Sequence, residues 1–471
     1  MKKVLLIYPP SPIMNREDRC QQPVKELLVI PPLPPVDLMY MAAVAEKVNE
    51  PDNYEVKIVD YSLIEHAREK FIEDFKAFKP DYLVLNVATT TLESDLSVLP
   101  IAKEIAPEVI TIAKGAHFLT SNTDELYKHK SLDLVIVGEA EETLKEILEQ
   151  KPFNEIKGLC YRDGFVAKYT GKRPFIENLD ELPFPARHLV NNNLFKRPDN
   201  NKVQAIIKVS RGCPHHCFFC LATPVSGSKV RVRSAENIIE EMKECVEKYK
   251  IKNFLFWSDI FNFDREWTID LCKKIIESGL KITWSSNTRA DTADEEMADL
   301  MYKSGCRLVS IGVESGSQFV LDKIGKKITI DQVRDTVKIF KKAKIKIYNY
   351  FVIGLPWDDE DTIEETIRFA IELDSDFISF YTATPLLGTR FCKYAKEHGL
   401  LNDGCSYQDA YFYPVVKTHF LSKERVFELH KEAIRRFYLR PWFIFRSLLN
   451  IRSFAEIKNY FIAGIGILLR K

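Results

Sequence analysis

The segment Ser210-Arg211-Gly212-Cys213-Pro214-His215-His216-Cys217-Phe218-Phe219-Cys220 carries three cysteines, separated first by three residues and then by two. It follows the β-rich run 203–209, so the cysteines are expected on a loop that leaves a strand. Three thiolates turned toward one point suit an iron–sulfur cluster. With only three protein ligands, one iron of such a cluster stays open to a substrate or cofactor. Cys213, Cys217 and Cys220 are therefore the candidate metal ligands and the candidate catalytic centre.

A structural zinc site is the alternative for the same loop. Such a site needs a fourth ligand, and His215 or His216 can supply one. Both histidines lie inside the same short loop, however, whereas zinc motifs usually bring a second pair of ligands from further away.

The composition describes a globular chain of more than one domain. Its 471 residues exceed one ordinary core, and 46% are hydrophobic against 28% charged. Lys plus Arg and Asp plus Glu are equal at 67 each, which gives no reason to expect a nucleic-acid partner. Ten cysteines in this length are not a disulfide scaffold, and no apolar run approaches the roughly 20 residues of a membrane-spanning helix. A reducing cytoplasm is the expected compartment.

The first 150 residues alternate between short apolar runs and helical stretches. Continuous apolar runs of this kind are typical of a parallel sheet buried on both faces, and the alternation predicts a doubly wound, Rossmann- or flavodoxin-like α/β domain. The predicted strands are 4–8, 56–60, 82–86, 109–113 and 134–137, and the predicted helices are 37–49, 95–105 and 141–150.

The stretch from about residue 201 to 401 repeats a strand–helix unit six times. The predicted strands are 203–209, 254–257, 282–285, 308–313, 347–353 and 377–381, and the helices between them are 235–249, 265–278, 294–304, 330–342 and 359–373. In an open barrel of such units, active residues lie at the carboxyl ends of the strands. Cys245, Cys272 and Cys306 fall in helical or helix-end positions and are predicted to be buried apolar residues.

Two features together resemble the radical S-adenosylmethionine (SAM) superfamily. The cysteine spacing, with the aromatic Phe219 before Cys220, is similar to the cluster loop of that family. Pro31-Pro32-Leu33-Pro34-Pro35 before a helix, Gly115-Ala116-His117 and Val137-Gly138-Glu139-Ala140-Glu141 are similar to the cobalamin-binding domain that precedes the barrel in one large subfamily. The resemblance runs from near Met1 to about Arg440. It implies a partial (β/α)6 barrel, a four-iron four-sulfur cluster, SAM bound at the open iron and cobalamin.

The resemblance also assigns roles to the barrel's strand ends. Ser258 and Asp259 follow the second strand, where the family binds the SAM amino group, and Arg289 follows the third, where a guanidinium can pair with the SAM carboxylate. Glu314 after the fourth strand can accept hydrogen bonds from ribose or ammonium, and Gly354 after the fifth marks backbone placed against adenine. Three of these residues have an ordinary alternative: Asp259 could cap the next helix, Arg289 could form a surface ion pair, and Glu314 could bond the Ser315 hydroxyl.

Small and hydroxyl residues at the strand ends of the first domain are the expected cobalamin contacts. They are Thr90, Gly115, His117, Gly138 and Glu139. One departure matters, because no Asp-x-His-x-x-Gly motif is present to ligate cobalt, although Asp60 and His66 lie near the second strand. Cobalamin is therefore expected without a protein histidine on cobalt, or the domain has lost it. His117 is expected to contact the nucleotide tail or loop backbone, or to be purely structural.

The predicted domain organisation has four parts. Residues 1–150 form the cobalamin-binding-like domain, 151–200 a linker with a small hairpin turning at Asp163-Gly164, 201–401 the barrel, and 402–471 a helical C-terminal segment. Basic residues in 223–233 anchor the cluster loop, line the cobalamin side or are simply solvated. Residues 431–471 hold nine Lys or Arg against two Asp or Glu, and the last dozen residues are predicted either to contact an anionic membrane surface or to pack on the protein.

The predicted function is that of a cobalamin-dependent radical SAM enzyme that methylates an unactivated carbon of a small-molecule or lipid substrate. The resemblance implies that SAM is cleaved to a 5′-deoxyadenosyl radical, with electrons from an external donor such as a flavodoxin or ferredoxin. A radical SAM cyclase or another carbon–carbon bond-forming or rearranging enzyme is the nearest alternative. A non-catalytic cobalamin or metal sensor is an alternative of another class, and methylthiolation lacks the second cysteine trio that it would need.

Overall fold

The computed structural model describes residues 1–17, 20–23, 32–48, 53–120, 122–197, 201–401, 407, 410 and 413–449. The strands of the N-terminal part are β1 Lys2–Tyr8, β2 Met14–Glu17, β3 Cys20–Pro23, β4 Tyr54–Asp60, β5 Tyr82–Asn86, β6 Ile110–Lys114, β7 Leu134–Ile136, β8 Leu159–Asp163 and β9 Val166–Tyr169. Its helices are α1 Val36–Lys47, α2 Ala67–Phe78, α3 Leu92–Leu96, α4 Val98–Ile105, α5 Asn122–Lys128 and α6 Glu141–Leu148.

The first sheet has the order β4-β1-β5-β6-β7-β8-β9, and its first five strands are parallel. Those five follow the flavodoxin-like order 2-1-3-4-5, so the direction in which strands are added to the sheet reverses between β1 and β5. This position is the topological switch point of the sheet. The core of this domain lies on both faces of the sheet, as two separate apolar clusters against α1 and α6 and against α2 and α4. The predicted doubly wound domain is confirmed, with α2 and α5 as additional helices.

The predicted hairpin joins this sheet. Strand β8 pairs antiparallel with β7 and with β9, and Gly164 has the positive φ of 62° that the tight turn requires. The hairpin therefore extends the first sheet by two antiparallel strands.

The second sheet contains six parallel strands in the order in which they occur along the chain. The strands of this part, including the short pair β11 and β12, are β10 Gln204–Lys208, β11 Ser210–Arg211, β12 Arg231–Val232, β13 Asn253–Trp257, β14 Thr283–Thr288, β15 Cys306–Glu314, β16 Lys346–Ile353 and β17 Phe377–Thr382. The helices are α7 Ala222–Ser226, α8 Ala235–Tyr249, α9 Arg265–Glu277, α10 Glu295–Lys303, α11 Gln318–Lys323, α12 Ile330–Lys342, α13 Glu360–Leu373 and α14 Arg390–Glu397.

Capping residues decide where the barrel helices begin. Ser234, Asp264, Asp294 and Thr329 each accept a hydrogen bond from a backbone N–H of the first turn, and Asp359 does so for α13. The apolar faces of these helices and of the strands meet in one large cluster that also holds Cys245, Cys272 and Cys306. The prediction that these three cysteines are buried is confirmed.

Two C-terminal helices complete the described chain, α15 Lys423–Tyr438 and α16 Pro441–Leu449. Helix α15 packs on β17 and α13, with Phe437 in the barrel core, so residues 423–438 belong to the barrel's packing. Within the described ranges, no helix is both long enough and apolar enough to cross a membrane. The predicted contact of the last dozen residues with a membrane lies outside the described residues.

Candidate active site

The cysteine loop is held at the carboxyl end of β10 by backbone hydrogen bonds. Asp259 accepts one from the Gly212 amide (2.7 Å), and the Cys213 amide donates to the Gly227 carbonyl (3.0 Å). Gly212 has a φ of 103°, and a Cβ there would lie 2.0 Å from the Lys229 carbonyl oxygen. Only glycine fits this close approach, so the turn that presents the cysteines depends on it.

An aromatic side chain inside the loop fixes its other end. Phe218 is buried, and its ring lies 5.0 Å from Trp357 and 5.4 Å from Phe391. Its amide donates to the Ile324 carbonyl and its carbonyl accepts from the Phe391 amide. Phe219, which the sequence singled out, is half-buried and packs against the barrel core. Phe218 is thus the anchor that sequence reasoning missed, because an aromatic pair does not reveal which ring points inward.

Burial raises the pKa of two cysteine thiols in the loop. It raises the pKa of Cys213, and it raises the pKa of Cys220 to about 12. A metal must therefore supply the positive charge that deprotonates them. Among the described residues, no group of three His, Cys, Asp or Glu side chains is placed to hold a single metal ion. Cys213, Cys217 and Cys220 as cluster ligands stay a prediction, and so does the zinc alternative.

Three buried serine hydroxyls lie on or next to the strands β10, β13 and β14 of the barrel. Ser258 and Ser286 are at most 1% exposed, and their Oγ atoms make no hydrogen bond to a described residue. The Oγ of the buried Ser210 also makes none. Buried polar groups without partners are costly, so the hydroxyls of Ser258 after β13 and Ser286 within β14 fit a polar ligand such as SAM. Ser258 thereby lies where the sequence predicted, directly after β13.

Arg289 is buried at the end of β14 and already has a carboxylate partner. Its Nε lies 2.7 Å from Asp291 Oδ1, one Nη donates to Asp291 Oδ2 (2.9 Å), and the same Nη donates to the Lys326 carbonyl (2.8 Å). An ion pair was the ordinary alternative for this residue, but the pair is buried. Its role as the SAM carboxylate partner stays a prediction.

Glu314 forms a buried ion pair at the end of β15. Its Oε1 lies 2.6 Å from Lys326 Nζ, and each residue is 8% exposed. Burial opposes the charge of Lys326, but Glu314 outweighs this and raises its pKa. Glu314 also has a φ of 71°, a strained value for a non-glycine residue and one that is frequent at functional sites.

The loop after β16 is organised by Asp358, which sequence reasoning missed. Its Oδ2 accepts hydrogen bonds from the Gly354 and Leu355 amides, both at 2.9 Å. Burial raises the pKa of Asp358 to about 7. Gly354 has a φ of 91°, and a Cβ there would lie 2.7 Å from a Val426 methyl group. The Gly-Leu-Pro turn is thus shaped by the carboxylate four residues beyond its glycine.

In the first domain, a buried ion pair supports the Thr89–Thr91 turn at the switch point between β1 and β5. Arg16 lies 2.6 Å from Asp95, which also accepts hydrogen bonds from the Thr91 hydroxyl (2.7 Å) and the Ala88 amide (3.0 Å). Thr90 is buried, with its hydroxyl 3.3 Å from the Met14 sulfur. The threonines are therefore held at the edge where a doubly wound sheet binds its ligands.

Gly115 and His117 follow β6. Gly115 has a φ of 150°, and a Cβ there would lie 2.1 Å from the Val87 carbonyl oxygen, so glycine lets two strand ends approach. His117 is buried with Nε2 3.6 Å from Glu125 Oε1. Burial opposes ionisation of Glu125, but His117 and Lys128 outweigh it and lower its pKa to about 2. This contact fits the structural alternative for His117.

Glu139 links the first domain to the barrel. Its carboxylate accepts hydrogen bonds from both Nη atoms of Arg231 (3.1 and 2.9 Å) and from the Ile176 amide (2.8 Å), and it lies 3.2 Å from Arg211. Arg231 and Arg233 are buried, which fits the anchoring alternative for these two residues. Lys229 is exposed and pairs with Glu177 at the surface, which fits the solvated alternative. Gly138, next to Glu139, has a φ of 94°, and a Cβ there would have no other atom within 4 Å.

A second ion-pair group spans the same interface. Asp37 at the start of α1 pairs with Lys114 (3.2 Å) and with Lys208 at the end of β10. Burial opposes the charge on Asp37, but the two lysines outweigh it and lower the pKa of its carboxyl. Arg211 pairs with Glu141 (2.5 Å) and lowers the pKa of that carboxyl against the effect of burial.

The carboxyl edges of the two sheets therefore face each other. A cavity of about 70 Å³ between them is lined by Gly138, Glu139, Glu141, Ser210, Arg211 and Asp259, together with other residues of both edges. The structure thus brings Gly138 and Glu139 beside Asp259 and the cysteine loop. Thr90 and His117 are not among the residues that line this cavity. The open space at Gly138 leaves room for a ligand beside this cavity, whereas Gly115 lets two protein strand ends approach each other.

Comparisons with known proteins agree with this arrangement. Residues 207–370 match the radical SAM superfamily, and residues 31–148 match the B12 binding domain. Over 447 residues the chain is 31% identical to the uncharacterized methyltransferase PH0819 of Pyrococcus horikoshii, covering 92% of this chain and 96% of that protein. The chain belongs to the radical SAM superfamily. It is a radical SAM enzyme of the group with a B12 binding domain, and its cofactors are a four-iron four-sulfur cluster, SAM and cobalamin.

Two further matches span most of this radical SAM enzyme. It is 27% identical to the cytidylyl-2-hydroxyethylphosphonate methyltransferase of Streptomyces wedmorensis, covering 85% of this chain and 83% of that one. The structure of the cobalamin-dependent SAM radical enzyme OxsB, with aqua-cobalamin and SAM bound, superposes with a TM-score of 0.74 at 16% identity. That superposition covers 99% of this chain and 71% of OxsB, and it supports the fold of both domains.

Proposed function

We propose that this enzyme transfers a methyl group to an unactivated carbon of a small-molecule or lipid substrate. The observation that carries the proposal is the apposition of the two carboxyl edges across Arg211, Glu139 and Glu141. A bound cluster with SAM supplies a carbon-centred radical, and bound cobalamin supplies a methyl group. Relatives named as methyltransferases, at 31% and 27% identity, support methyl transfer, whereas two relatives named as anaerobic magnesium-protoporphyrin IX monomethyl ester cyclase, each at 25% identity, support the cyclase alternative.

The residues of this chain have three tasks in such a reaction. Cys213, Cys217 and Cys220 hold the cluster, and the hydroxyls of Ser258 and Ser286 offer hydrogen bonds to SAM. Arg289 and Glu314 position the SAM carboxylate and ribose through groups already oriented by Asp291 and Lys326. The buried ion pairs of Asp37 and Arg211 exclude water where the two edges meet, which protects a radical from quenching.

Two partners follow from the chemistry. A cluster held by the three cysteines would need an external one-electron donor such as a flavodoxin or ferredoxin, because no side chain of this site can supply electrons. The substrate enters between the two edges, so it contacts residues of both sheets.

The test is anaerobic reconstitution of the full chain with iron, sulfide and cobalamin, followed by mass spectrometry of the products formed in a cell extract. Methyl transfer predicts 5′-deoxyadenosine and S-adenosylhomocysteine together with a product one methylene heavier than its substrate. A product that has lost hydrogens without gaining carbon would instead establish the cyclase alternative. Absence of iron after reconstitution would contradict the proposal altogether.

A further inference from the structure

Helix α16 exposes a row of large apolar side chains. Trp442 is 60% exposed, Phe445 53%, Leu448 62% and Leu449 70%. These positions recur at three- and four-residue spacing, so they share one face of the helix. Contiguous exposed apolar patches often mark an interaction surface.

The opposite face fixes the helix to the barrel. Phe443 is buried, with its ring 5.2 Å from Phe437 and 5.1 Å from Tyr438. Arg446 pairs with Asp374 (2.7 Å) and donates to the Ser375 carbonyl (2.9 Å). The apolar row is therefore held outward on a supported helix.

A basic cavity lies at the amino edge of the second sheet, on the far side from the cysteines. It measures about 770 Å³, and among the described residues that line it six are cationic and none is acidic: Lys202, Lys250, Lys252, Lys281, Lys303 and Arg307. Lys303 also pairs with Asp299 (2.6 Å), which offsets one of these charges. Since the whole chain has a net charge of zero, the excess is local rather than a result of basic composition.

The helix and the cavity lie on the same edge. Asp374 and Ser375, which hold α16, come directly before β17, and Lys252, Lys281 and Arg307 lie at the starts of β13, β14 and β15. Strand β15 is two positions from β17 in the sheet, about 10 Å away at the usual strand spacing. One edge thus combines an apolar row with a cluster of cations.

We propose that this edge is a docking surface for an anionic membrane. Trp442, Phe445 and Leu448 enter the interfacial region of the bilayer, while the lysines beside them contact lipid phosphates. Trp442 suits this place because indole rings favour the membrane–water interface. The cluster edge then faces away from the membrane, so the electron donor reaches it from the aqueous side.

The charges favour lipid over other occupants. Residues 431–471 carry a net charge of +7, and a second copy of the chain on the same face would bring two such segments together. The tail of the same chain would likewise place Arg452 and Lys458 against a basic edge. An anionic lipid surface neutralises these charges, and their attraction should fall as salt is added.

The experiment is co-sedimentation of the full-length protein with vesicles of phosphatidylcholine, alone or with one fifth phosphatidylglycerol. The wild type is expected to bind the anionic vesicles only, and less at high salt. The double variants Trp442→Ser/Phe445→Ser and Lys252→Glu/Lys281→Glu should each lower the partition coefficient at least tenfold. All four side chains are exposed, so the fold should survive.

Matched controls replace exposed residues elsewhere. Phe165→Ser/Phe319→Ser removes two exposed aromatic rings, and Lys47→Glu/Lys76→Glu reverses two exposed charges of the first domain; both should bind within twofold of the wild type. Equal binding of neutral and anionic vesicles, or no binding, would overturn the proposal. So would a dimer in solution that Trp442→Ser/Phe445→Ser dissociates, or binding lost only when residues 450–471 are removed.

Discussion

Asp358 shows how burial changes one side chain of the barrel. Its carboxylate accepts hydrogen bonds from the Gly354 and Leu355 amides after β16. Burial raises the pKa of Asp358 to about 7, well above the ordinary value of an aspartic acid. The folded protein therefore holds a proton on Asp358 at pH values where the unfolded chain has lost it. Folding stability is then present in full at low pH and falls as the pH rises toward 7.

The first prediction compares Asp358→Asn with the wild type between pH 5 and 8. The amide cannot ionise and keeps an oxygen for the two backbone donors, so its stability should not show this dependence. Relative to the variant, the wild type should lose up to about 1.4 kcal/mol of unfolding free energy per pH unit as the pH rises from 5 to 7. Denaturant unfolding of anaerobic samples measures the difference, and parallel pH profiles would contradict it.

Cys217 carries the second prediction. It is half-buried on the loop surface, so Cys217→Ala should retain the fold while iron content and SAM cleavage fall to background. Cys272→Ala is the matched control, because it removes a thiol from the barrel core without touching the loop. Iron analysis and 5′-deoxyadenosine measurement should show the loss in Cys217→Ala and not in Cys272→Ala. If both variants kept equal iron, the cysteine loop would not be the cluster site.

At the scale of the element, the cluster loop depends on one close backbone approach. Gly212 and Gly171 both have positive φ, 103° and 91°, but only at Gly212 would a Cβ collide, 2.0 Å from the Lys229 carbonyl oxygen. At Gly171 no atom lies within 4 Å of that position. Alanine at Gly171 would therefore have only the energetic cost of a positive φ, whereas alanine at Gly212 would add a steric clash.

The third prediction uses this pair. Gly212→Ala should displace the loop and lower the iron bound per chain several-fold after reconstitution. Gly171→Ala should cost only about 1 kcal/mol of stability, the usual penalty for a β-carbon at positive φ, and keep its iron. Iron analysis with circular dichroism reports both quantities. Full iron occupancy in Gly212→Ala would show that the loop tolerates the shift.

At the scale of the whole molecule, two sheets are joined through buried charges. Arg231 is 4% exposed and pairs with Glu139, so removing the guanidinium leaves a buried carboxylate with fewer partners. Arg265 is the exposed counterpart, because it pairs with Asp294 and Glu296 at the surface. Water screens the second group and not the first.

The fourth prediction follows from that contrast. Arg231→Met should destabilise the protein by about 3 to 5 kcal/mol and increase hydrogen exchange at both carboxyl edges. Arg265→Met should cost less than about 1 kcal/mol. Thermal unfolding combined with hydrogen exchange gives both values. Equal losses in the two variants would mean that the interface charges are solvated.

Much of this fold could be predicted because its local signals agree. The regular alternation of strand and helix predicted the helices 235–249 and 330–342 with their observed bounds, and the structure shows that Ser234 and Thr329 cap them. Helix α2 was missed although Phe71, Phe75 and Phe78 recur at helical spacing, and α5 was missed because its seven residues include few apolar ones. The loop cysteines were found because their spacing is local.

What the sequence determined by itself was the order of elements, the cysteine loop and the family, because each rests on residues close together in the chain. Only the tertiary structure decided which charges meet. Glu139 pairs with Arg231 and Asp37 pairs with Lys208 because the two domains pack together. Glu314 pairs with Lys326 within the barrel. The exposed row of α16 likewise emerged only when Phe443 packed inward, since periodicity alone does not say which face of a helix is covered.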